Sequence, residues 1–330
     1  MKPVTIIANP ASGKDIRRLV AHGSVVHSSE KVNIVRRILI GLDSIGVKKV
    51  FVMPDMNKLG TRALDRLNVK LEVEVLDFIP QNSPYDSVRA AKLSREKGAG
   101  CIIVLGGDGT NRVVAKESQD VPLLPIATGT NNVFSNMVEG TLAGIAAGVV
   151  AMNNDSLDKL TRREPMLEIW QGSQVVDTAL VDLVVTGEAF VASRALWEVS
   201  SLKEVFLTRA EPENIGFSSL GGYLCHLPLG SGKGLHLRIG EGGRIVRAPI
   251  GPGLIKDVPI ASEQIIEPDE HIPIQTNPAM IALDGEREFN LVEEESATVK
   301  LNLHGPLVVE MAKTLRWASE AFLFVKEKGR

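Results

Sequence analysis

The spacing of hydrophobic residues divides the chain into two regions. Up to about residue 125, short apolar runs alternate with segments in which apolar residues recur every three or four positions, the pattern of strands alternating with helices. The predicted strands are 4–8, 47–53, 71–79 and 101–105, and the predicted helices are 32–42, 61–67 and 83–97. This order favours a doubly wound, mostly parallel α/β sheet, which binds ligands at the carboxyl ends of its strands.

Beyond residue 125 the pattern becomes rich in strands. Turns that contain Gly, Pro or Asn separate many of these runs, and few helices intervene. The predicted strands are 168–170, 174–186, 234–239, 244–249, 280–283, 288–291 and 298–303. We predict an α/β nucleotide-binding domain over 1–125 and a β-rich substrate domain over 126–306. From residue 307 the spacing is helical again.

Composition and charge narrow the choice of partners. The chain has 330 residues, 44% hydrophobic and 23% charged, with 37 Lys and Arg against 40 Asp and Glu. No basic run stands out, so we expect neither a nucleic acid nor a membrane as partner. The two cysteines fit a reducing compartment, and the chain enters its first strand without a signal-peptide pattern. We expect a cytoplasmic protein that forms a homo-oligomer.

The most informative motif follows the predicted strand 101–105. The sequence there reads Gly106-Gly107-Asp108-Gly109-Thr110, with two glycines that allow a tight turn and a carboxylate at the end of the strand. Backbone N–H groups in such a turn, with the amino end of the next helix, form a site for phosphate. Asp108 is then placed to accept a proton from a hydroxyl or to help hold a metal. By spacing alone, a helix-capping Asp in an ordinary turn is an even alternative.

Two further turns offer polar groups. In the turn after the first strand, Ser12, the backbone of Gly13 and Lys14 could contact a nucleotide phosphate. The segment 127–132, Ala-Thr-Gly-Thr-Asn-Asn, follows a short apolar stretch and offers hydroxyl and amide groups. Each of these segments could also be a simple surface turn.

Other familiar chemistries lack their motifs. No Gly-x-Gly-x-x-Gly follows the first strand, which argues against an ordinary dinucleotide-binding dehydrogenase. The six histidines show no metal-ligand spacing, so the sequence assigns no metal ligands.

Taken in order, four motifs resemble those of the NAD kinase and diacylglycerol kinase superfamily. They are 9–13 (Asn-Pro-Ala-Ser-Gly), 106–110, 129–134 (Gly-Thr-Asn-Asn-Val-Phe) and 284–286 (Asp-Gly-Glu). The set spans most of the chain and is much more specific than any one motif. Within the superfamily the chain is most similar to the ATP-NAD kinase-like branch called acetoin catabolism protein X.

The resemblance implies an α/β domain followed by a sandwich-like β domain, with the active site in the cleft between them and the tail 307–330 packed back on the first domain. It implies Asp108 as the catalytic aspartate. It also implies nucleotide or substrate contacts from the other motif residues, which are Asn9, Ser12, Gly13, Gly106, Gly107, Gly109, Thr110, Gly129, Thr130, Asn132, Asp182, Asp284 and Glu286.

Two positions depart from the superfamily pattern. Val133 stands where lipid kinases usually have an acidic or small residue, and Val181 stands where NAD kinases usually have an asparagine before the acidic Asp182. If Val181 faces the acceptor, NAD phosphorylation is expected to be weak and Val181→Asn to raise NAD affinity. If Val181 is a core residue, the same change only destabilises the protein.

The leading hypothesis is a kinase that uses ATP and a divalent cation, expected to be Mg²⁺, to phosphorylate a hydroxyl of a small metabolite, with NAD as the first candidate. A diacylglycerol-type lipid kinase is the second hypothesis. The third is a non-catalytic nucleotide-binding or regulatory protein associated with acetoin catabolism.

Overall fold

The computed structural model describes residues 1–13, 22–187 and 199–325. Its amino-terminal part is built on a seven-stranded sheet with the strand order β3-β2-β1-β4-β5-β17-β6. These strands are β1 (Val4–Ala8), β2 (Lys49–Val52), β3 (Glu72–Val75), β4 (Cys101–Gly106), β5 (Leu123–Ala127), β6 (Thr161–Arg163) and β17 (Leu307–Val309). Neighbouring strands are parallel except for the pair β17 and β6.

Helices cover both faces of this sheet. They are α1 (Ser28–Ser44), α2 (Leu59–Ala63), α3 (Pro84–Glu96), α4 (Asp108–Ser118), α5 (Gly140–Met152), α6 (Leu157–Leu160) and α8 (Met311–Glu320). Successive strand residues point to opposite faces. Thus Ile6 packs in the core that includes Val35 of α1, whereas Ile7 packs in the core that includes Ala91 of α3. The doubly wound α/β arrangement is confirmed. Among the described residues, every helix is too short or too polar to span a bilayer.

The remaining strands form two antiparallel sheets. A six-stranded sheet has the order β12-β11-β10-β9-β14-β15, and a four-stranded sheet has the order β13-β16-β7-β8. Their strands are β7 (Met166–Gln171), β8 (Gln174–Ala179), β9 (Asp182–Gly187), β10 (Leu202–Leu207), β11 (Gly234–Gly251), β12 (Leu254–Ile266), β13 (His271–Pro273), β14 (Ala279–Leu283), β15 (Glu286–Leu291) and β16 (Thr298–Asn302), with one short helix, α7 (Phe217–Gly222). Side chains from both sheets, such as Ile169 and Ile281, share one core. The β-rich, sandwich-like second part is therefore also confirmed.

The structure differs from the predicted elements at several places. The segment 307–309, predicted as helix, is strand β17, because it pairs with both β5 and β6 before α8 begins. The run 174–186 is two strands, β8 and β9, which belong to different sheets. The predicted domain boundary near residue 125 falls inside β5. Residues 326–330 of the tail lie outside the described part.

Candidate active site

Three turns meet at the carboxyl edge of the seven-stranded sheet, after β1, β4 and β5. The amide of Asn9 donates to the hydroxyl of Thr110 at 2.9 Å, which joins the first turn to the second. The hydroxyls of Ser12 and Thr128 lie 2.7 Å apart and join the first turn to the third. The turns predicted to handle phosphate therefore form one hydrogen-bonded unit.

Glycines in these turns provide close approach. A Cβ on Gly129 would lie 2.8 Å from the Cα of Gly107, so the second and third turns touch through their backbones. A Cβ on Gly109 would lie 2.6 Å from the carboxyl carbon of Glu286, which places that side chain against the second turn. Gly107 itself has φ of −94°, and a Cβ there would lie 3.4 Å from both Asn132 Oδ1 and Gly129 Cα, so neither its backbone nor its contacts exclude a small side chain.

A cavity of about 330 Å³ opens over the three turns. This volume is within the range of small-molecule sites. The predicted site residues that line it are Asn9, Ser12, Gly13, Gly107, Asp108, Gly109, Thr110, Gly129, Thr130, Asp284 and Glu286. The amino end of α3 contributes a further wall through Asn82, Ser83, Pro84, Asp86 and Ser87, which the sequence analysis did not assign.

The other predicted residues support the cavity or lie beside it. Gly106 ends β4, and a Cβ there would meet the side chain of Thr110 at 2.4 Å. Asn132 donates to the carbonyl oxygen of Gly129 at 3.1 Å and so holds the third turn, whereas its neighbour Asn131 lines the cavity. Asp182 lines a second, smaller cavity described below, and Lys14 lies outside the described residues.

Lys31, which the sequence analysis missed, organises the first turn from below. Its side chain is fully buried on α1. The ammonium donates to the carbonyl oxygens of Asn9 at 2.8 Å and Ser12 at 2.7 Å, and to the hydroxyl of Ser12 at 2.8 Å. The hydroxyl of Ser12 is therefore engaged within the protein, and a buried positive charge lies under the turn.

Asp108 is the first residue of α4 and joins two parts of the site. Its Oδ2 accepts from the backbone N–H of Val133 at 2.8 Å. Its Oδ1 accepts from the backbone N–H groups of Phe134 and Ser135 at 3.1 and 3.2 Å and from the hydroxyl of Ser135 at 3.3 Å. Burial, reinforced by the charge of Asp284, raises the pKa of Asp108 to about 6 despite these hydrogen bonds.

Asp284, at the turn between β14 and β15, is likewise a buried carboxylate that accepts hydrogen bonds from backbone N–H groups. Asp284 and Gly285 have φ of 49° and 78°, the signs of a two-residue type I′ hairpin turn. The buried carboxylate accepts from the backbone N–H groups of Leu180, Val181 and Asp182 at 2.9, 2.7 and 3.2 Å. Burial raises the pKa of Asp284.

A buried guanidinium links the two parts of the molecule behind these carboxylates. Arg112 of α4 lies one helical turn after Asp108 and is almost fully buried. Its nitrogens lie 3.2 Å from a carboxylate oxygen of Asp177 and 3.8 Å from oxygens of Asp284 and Glu286. Arg112 therefore places a positive charge beside the hairpin carboxylates and partly offsets the charge of Asp284.

A second cavity, of about 50 Å³, adjoins the first. Asp108, Asn131 and Asp284 line both cavities. The smaller cavity is otherwise lined by Val133, Asp182, Val184, Ile215, Gly216, Phe217, Ile250 and Gly285. Val133, one of the two positions that depart from the superfamily pattern, thus faces a cavity.

Val181 does not share this placement. Its side chain is 1% exposed and packs with Phe134, Leu180 and Val308 in a small core. It lines neither cavity. The core alternative for Val181 therefore holds, and its apolar character gives no information about the acceptor.

The fold and site define an NAD kinase-like protein. Residues 4–153 match the ATP-NAD kinase N-terminal domain, and residues 165–304 match the acetoin catabolism protein X C-terminal domain. The chain is 36% identical to acetoin catabolism protein X of Cupriavidus necator, over 97% of this chain and 93% of that protein. The chain belongs to the acetoin catabolism protein X family.

One solved structure shows the same architecture. The chain superposes on yeast NADH kinase complexed with NADH with a TM-score of 0.52 and 14% identity, covering all of this chain and 89% of that one. An NAD kinase from Archaeoglobus fulgidus in complex with ATP gives a TM-score of 0.39 at 12% identity, covering 98% of this chain and all of that one. The predicted superfamily and fold are confirmed.

Proposed function

We propose that this protein is an ATP-dependent kinase that phosphorylates a hydroxyl of a small metabolite, with NAD as the first acceptor to test. One observation carries the proposal. Asp108 lines both the cavity over the three glycine-containing turns and the smaller cavity beside it. Burial raises its pKa to about 6. A solved yeast NADH kinase of this fold binds NADH, which supports a nucleotide as ligand.

The larger cavity suits the phosphates of ATP. The amino end of α4 and the glycine-rich turns line this cavity, and a helix amino end favours an anion. The ammonium of Lys31 lies beneath the first turn. Phosphoryl transfer requires mainly positioning and charge neutralisation, which this arrangement supplies.

Asp108 retains capacity to accept a proton. A carboxylate oxygen offers about two lone-pair positions, and Oδ2 uses one of them for Val133. In the proposed step, the acceptor hydroxyl oxygen forms a bond to the γ-phosphorus while the bond to the β–γ bridging oxygen breaks. ADP leaves with that electron pair, and the hydroxyl proton passes to Asp108. A base whose pKa lies near the working pH suits this role.

The donor set fits a metal that arrives with the nucleotide. In the described ranges there is no group of three or more His, Cys, Asp or Glu side chains that could hold a metal ion. Glu286 lines the larger cavity with 42% of its side chain exposed. It would be the side chain to hold Mg²⁺ bound to ATP, because Mg²⁺ is commonly held by one or two carboxylates together with substrate phosphates. Bound Mg²⁺ would neutralise charge on the phosphates.

The test is an acceptor screen of the purified protein with ATP and Mg²⁺. NAD, NADH, diacylglycerol and small polyols are supplied, and ADP and phosphorylated product are measured by mass spectrometry. Asp108→Asn is expected to lower turnover by about 10²–10⁴ while ATP still binds. Ser135→Ala, which removes one hydrogen bond to Asp108 and keeps the carboxylate, is the matched control. A folded Asp108→Asn variant with near wild-type turnover would contradict the role of Asp108.

A second candidate is a nucleotide-binding regulatory protein, consistent with a relative named for acetoin catabolism. One observation favours it: backbone N–H groups of residues 133–135 donate to both oxygens of Asp108. This is the arrangement expected of a carboxylate whose role is purely structural. Tight ATP binding without transfer to any acceptor would select it, and transfer to diacylglycerol would select a lipid kinase. Cytoplasmic location and a homo-oligomeric state remain predictions.

A further inference from the structure

The smaller cavity limits the size of what can enter it. A bound water needs roughly 10–15 Å³ of such space. A cavity of about 50 Å³ therefore admits a fragment of about three to five non-hydrogen atoms. A whole dinucleotide or acyl chain far exceeds this size, so only a short end of either could enter.

The charged residues that line the smaller cavity are all acidic. Three carboxylates, those of Asp108, Asp182 and Asp284, line it, and none of its described lining residues is Lys, Arg or His. Arg112 lies behind Asp284 and not among the lining residues. A carboxylate or phosphate on the ligand would therefore meet like charges, which is unfavourable.

The cavity also has an apolar wall. Val133, Val184, Phe217 and Ile250 line it, with Ile215 beside them. Such a wall favours a methyl or methylene group over a fully hydroxylated sugar, because apolar surface gains free energy when it leaves water.

One polar atom at the junction of the cavities lacks a partner. The side-chain Oδ1 of Asn131 is buried and has no hydrogen-bond partner among the described residues. An unsatisfied buried polar atom costs roughly 1–3 kcal/mol. Because Asn131 lines both cavities, a rotation of its amide would let this oxygen accept from a ligand hydroxyl in the smaller cavity while the reacting hydroxyl faces Asp108.

We propose that the acceptor is a short, uncharged diol of about three carbons, held by Asn131 and the apolar wall with its reacting hydroxyl at Asp108. This inference rests on the proposed kinase function. It names an acceptor class that the resemblance to NAD kinases does not supply.

The test compares acceptors that differ mainly in charge. Propylene glycol and 1,3-propanediol are assayed against lactate and NAD, with ATP and Mg²⁺, by mass spectrometry of the products. Binding is measured separately by saturation-transfer NMR in the presence of a non-hydrolysable ATP analogue. We expect the best neutral acceptor to exceed lactate in kcat/KM by about tenfold or more. Equal or better turnover with lactate or NAD would overturn the acceptor class.

A charge variant tests the source of this discrimination. Asp182→Asn removes one carboxylate from the smaller cavity and is expected to raise the ratio of lactate to propylene glycol, in binding and in kcat/KM, by about tenfold. Asp269→Asn, the same chemical change at a residue that lines neither cavity, should leave the ratio unchanged. An unchanged ratio in Asp182→Asn counts against the proposal.

The two readouts separate the two hypotheses. Binding of the neutral alcohols, with loss of binding in Asn131→Ala but no transfer, supports the ligand class and rejects the kinase function. Transfer to NAD or diacylglycerol without binding of the neutral alcohols supports the kinase and rejects the ligand class. No binding and no transfer with any acceptor rejects both.

Discussion

The ammonium nitrogen of Lys31 lies 2.7 Å from the backbone carbonyl oxygen of Ser12, beneath the turn that lines the larger cavity. A buried lysine normally keeps its charge only where the protein supplies hydrogen-bond acceptors. Here the acceptors are the backbone of the turn itself. The same contact therefore fixes the shape of the turn and places a positive charge beneath the proposed phosphate site.

Replacing this lysine should weaken the nucleotide site. Lys31→Met keeps the length of the side chain but leaves the carbonyl oxygens of Asn9 and Ser12 without their donor, at a cost of roughly 1–3 kcal/mol in the free energy of unfolding. We expect the Kd for ATP to rise by about tenfold or more, measured by calorimetry beside a melting curve. Lys48→Met, at an exposed position, is the control. Equal ATP affinity in both variants would show that Lys31 does not shape the site.

Because Gly109 lies against the Glu286 side chain, substitutions at these two residues should have non-additive effects on ATP affinity. A Cβ on Gly109 would overlap the Glu286 carboxylate, the flexible end of a side chain, so Gly109→Ala should fold and displace that carboxylate. We expect loss of Mg²⁺-dependent ATP affinity in Gly109→Ala and in Glu286→Ala. The double variant should lose little more than either single one, because both changes remove the same group. Full additivity would show that Gly109 acts independently of Glu286.

Burial of Asp108 predicts a pH dependence of stability. Its pKa rises from an ordinary 3.8 to about 6, so between these values the folded protein holds a proton that the unfolded chain has lost. The contribution of this proton to the free energy of unfolding is therefore complete below about pH 4 and is lost as the pH rises through 6. Relative to Asp108→Asn, the wild type should lose on the order of 1–3 kcal/mol of unfolding free energy from pH 4 to 7, measured with urea. An unfolding free energy that rises from pH 4 to 7 in the wild type relative to Asp108→Asn would refute this.

A matched pair of substitutions separates a core position from a cavity position. Val181→Asn buries an unpaired amide and should destabilise the protein by roughly 1–3 kcal/mol with no specific effect on acceptors. Val133→Asn introduces the same group into the wall of the smaller cavity and should change acceptor preference with a smaller loss of stability. Melting curves beside acceptor titrations distinguish them. The assignments fail if the two variants exchange these effects.

Local sequence could predict the turns but not their partners. The strand and glycines around Asp108 indicate a phosphate turn, because the motif and its structure lie in one continuous segment. Lys31 and Arg112 act on residues far away in the chain, and neither stands in a motif. Asn131 and Asn132 are adjacent and chemically identical, so only the backbone direction decides which of them faces the cavity.

Long-range pairing also explains the misjudged tail. Three residues at 307–309 carry no strand signal strong enough to stand against the helical spacing that follows them. They form β17 because β5 and β6 each offer an open edge. Pairing with β5 and β6, rather than the local sequence, therefore makes residues 307–309 a strand.

The position of β17 sets the order in which this molecule can fold during its synthesis. β5 and β6 lie on either side of it and have no pairing with each other, so the first sheet waits for a strand that leaves the ribosome after all the β-rich segments. Until then the nascent chain exposes open strand edges, which invite pairing with other chains. A fragment that ends before residue 307 keeps those edges permanently. Strand β17, which is made after the β-rich segments, is thus the one that closes the sheet on which the candidate active site is built.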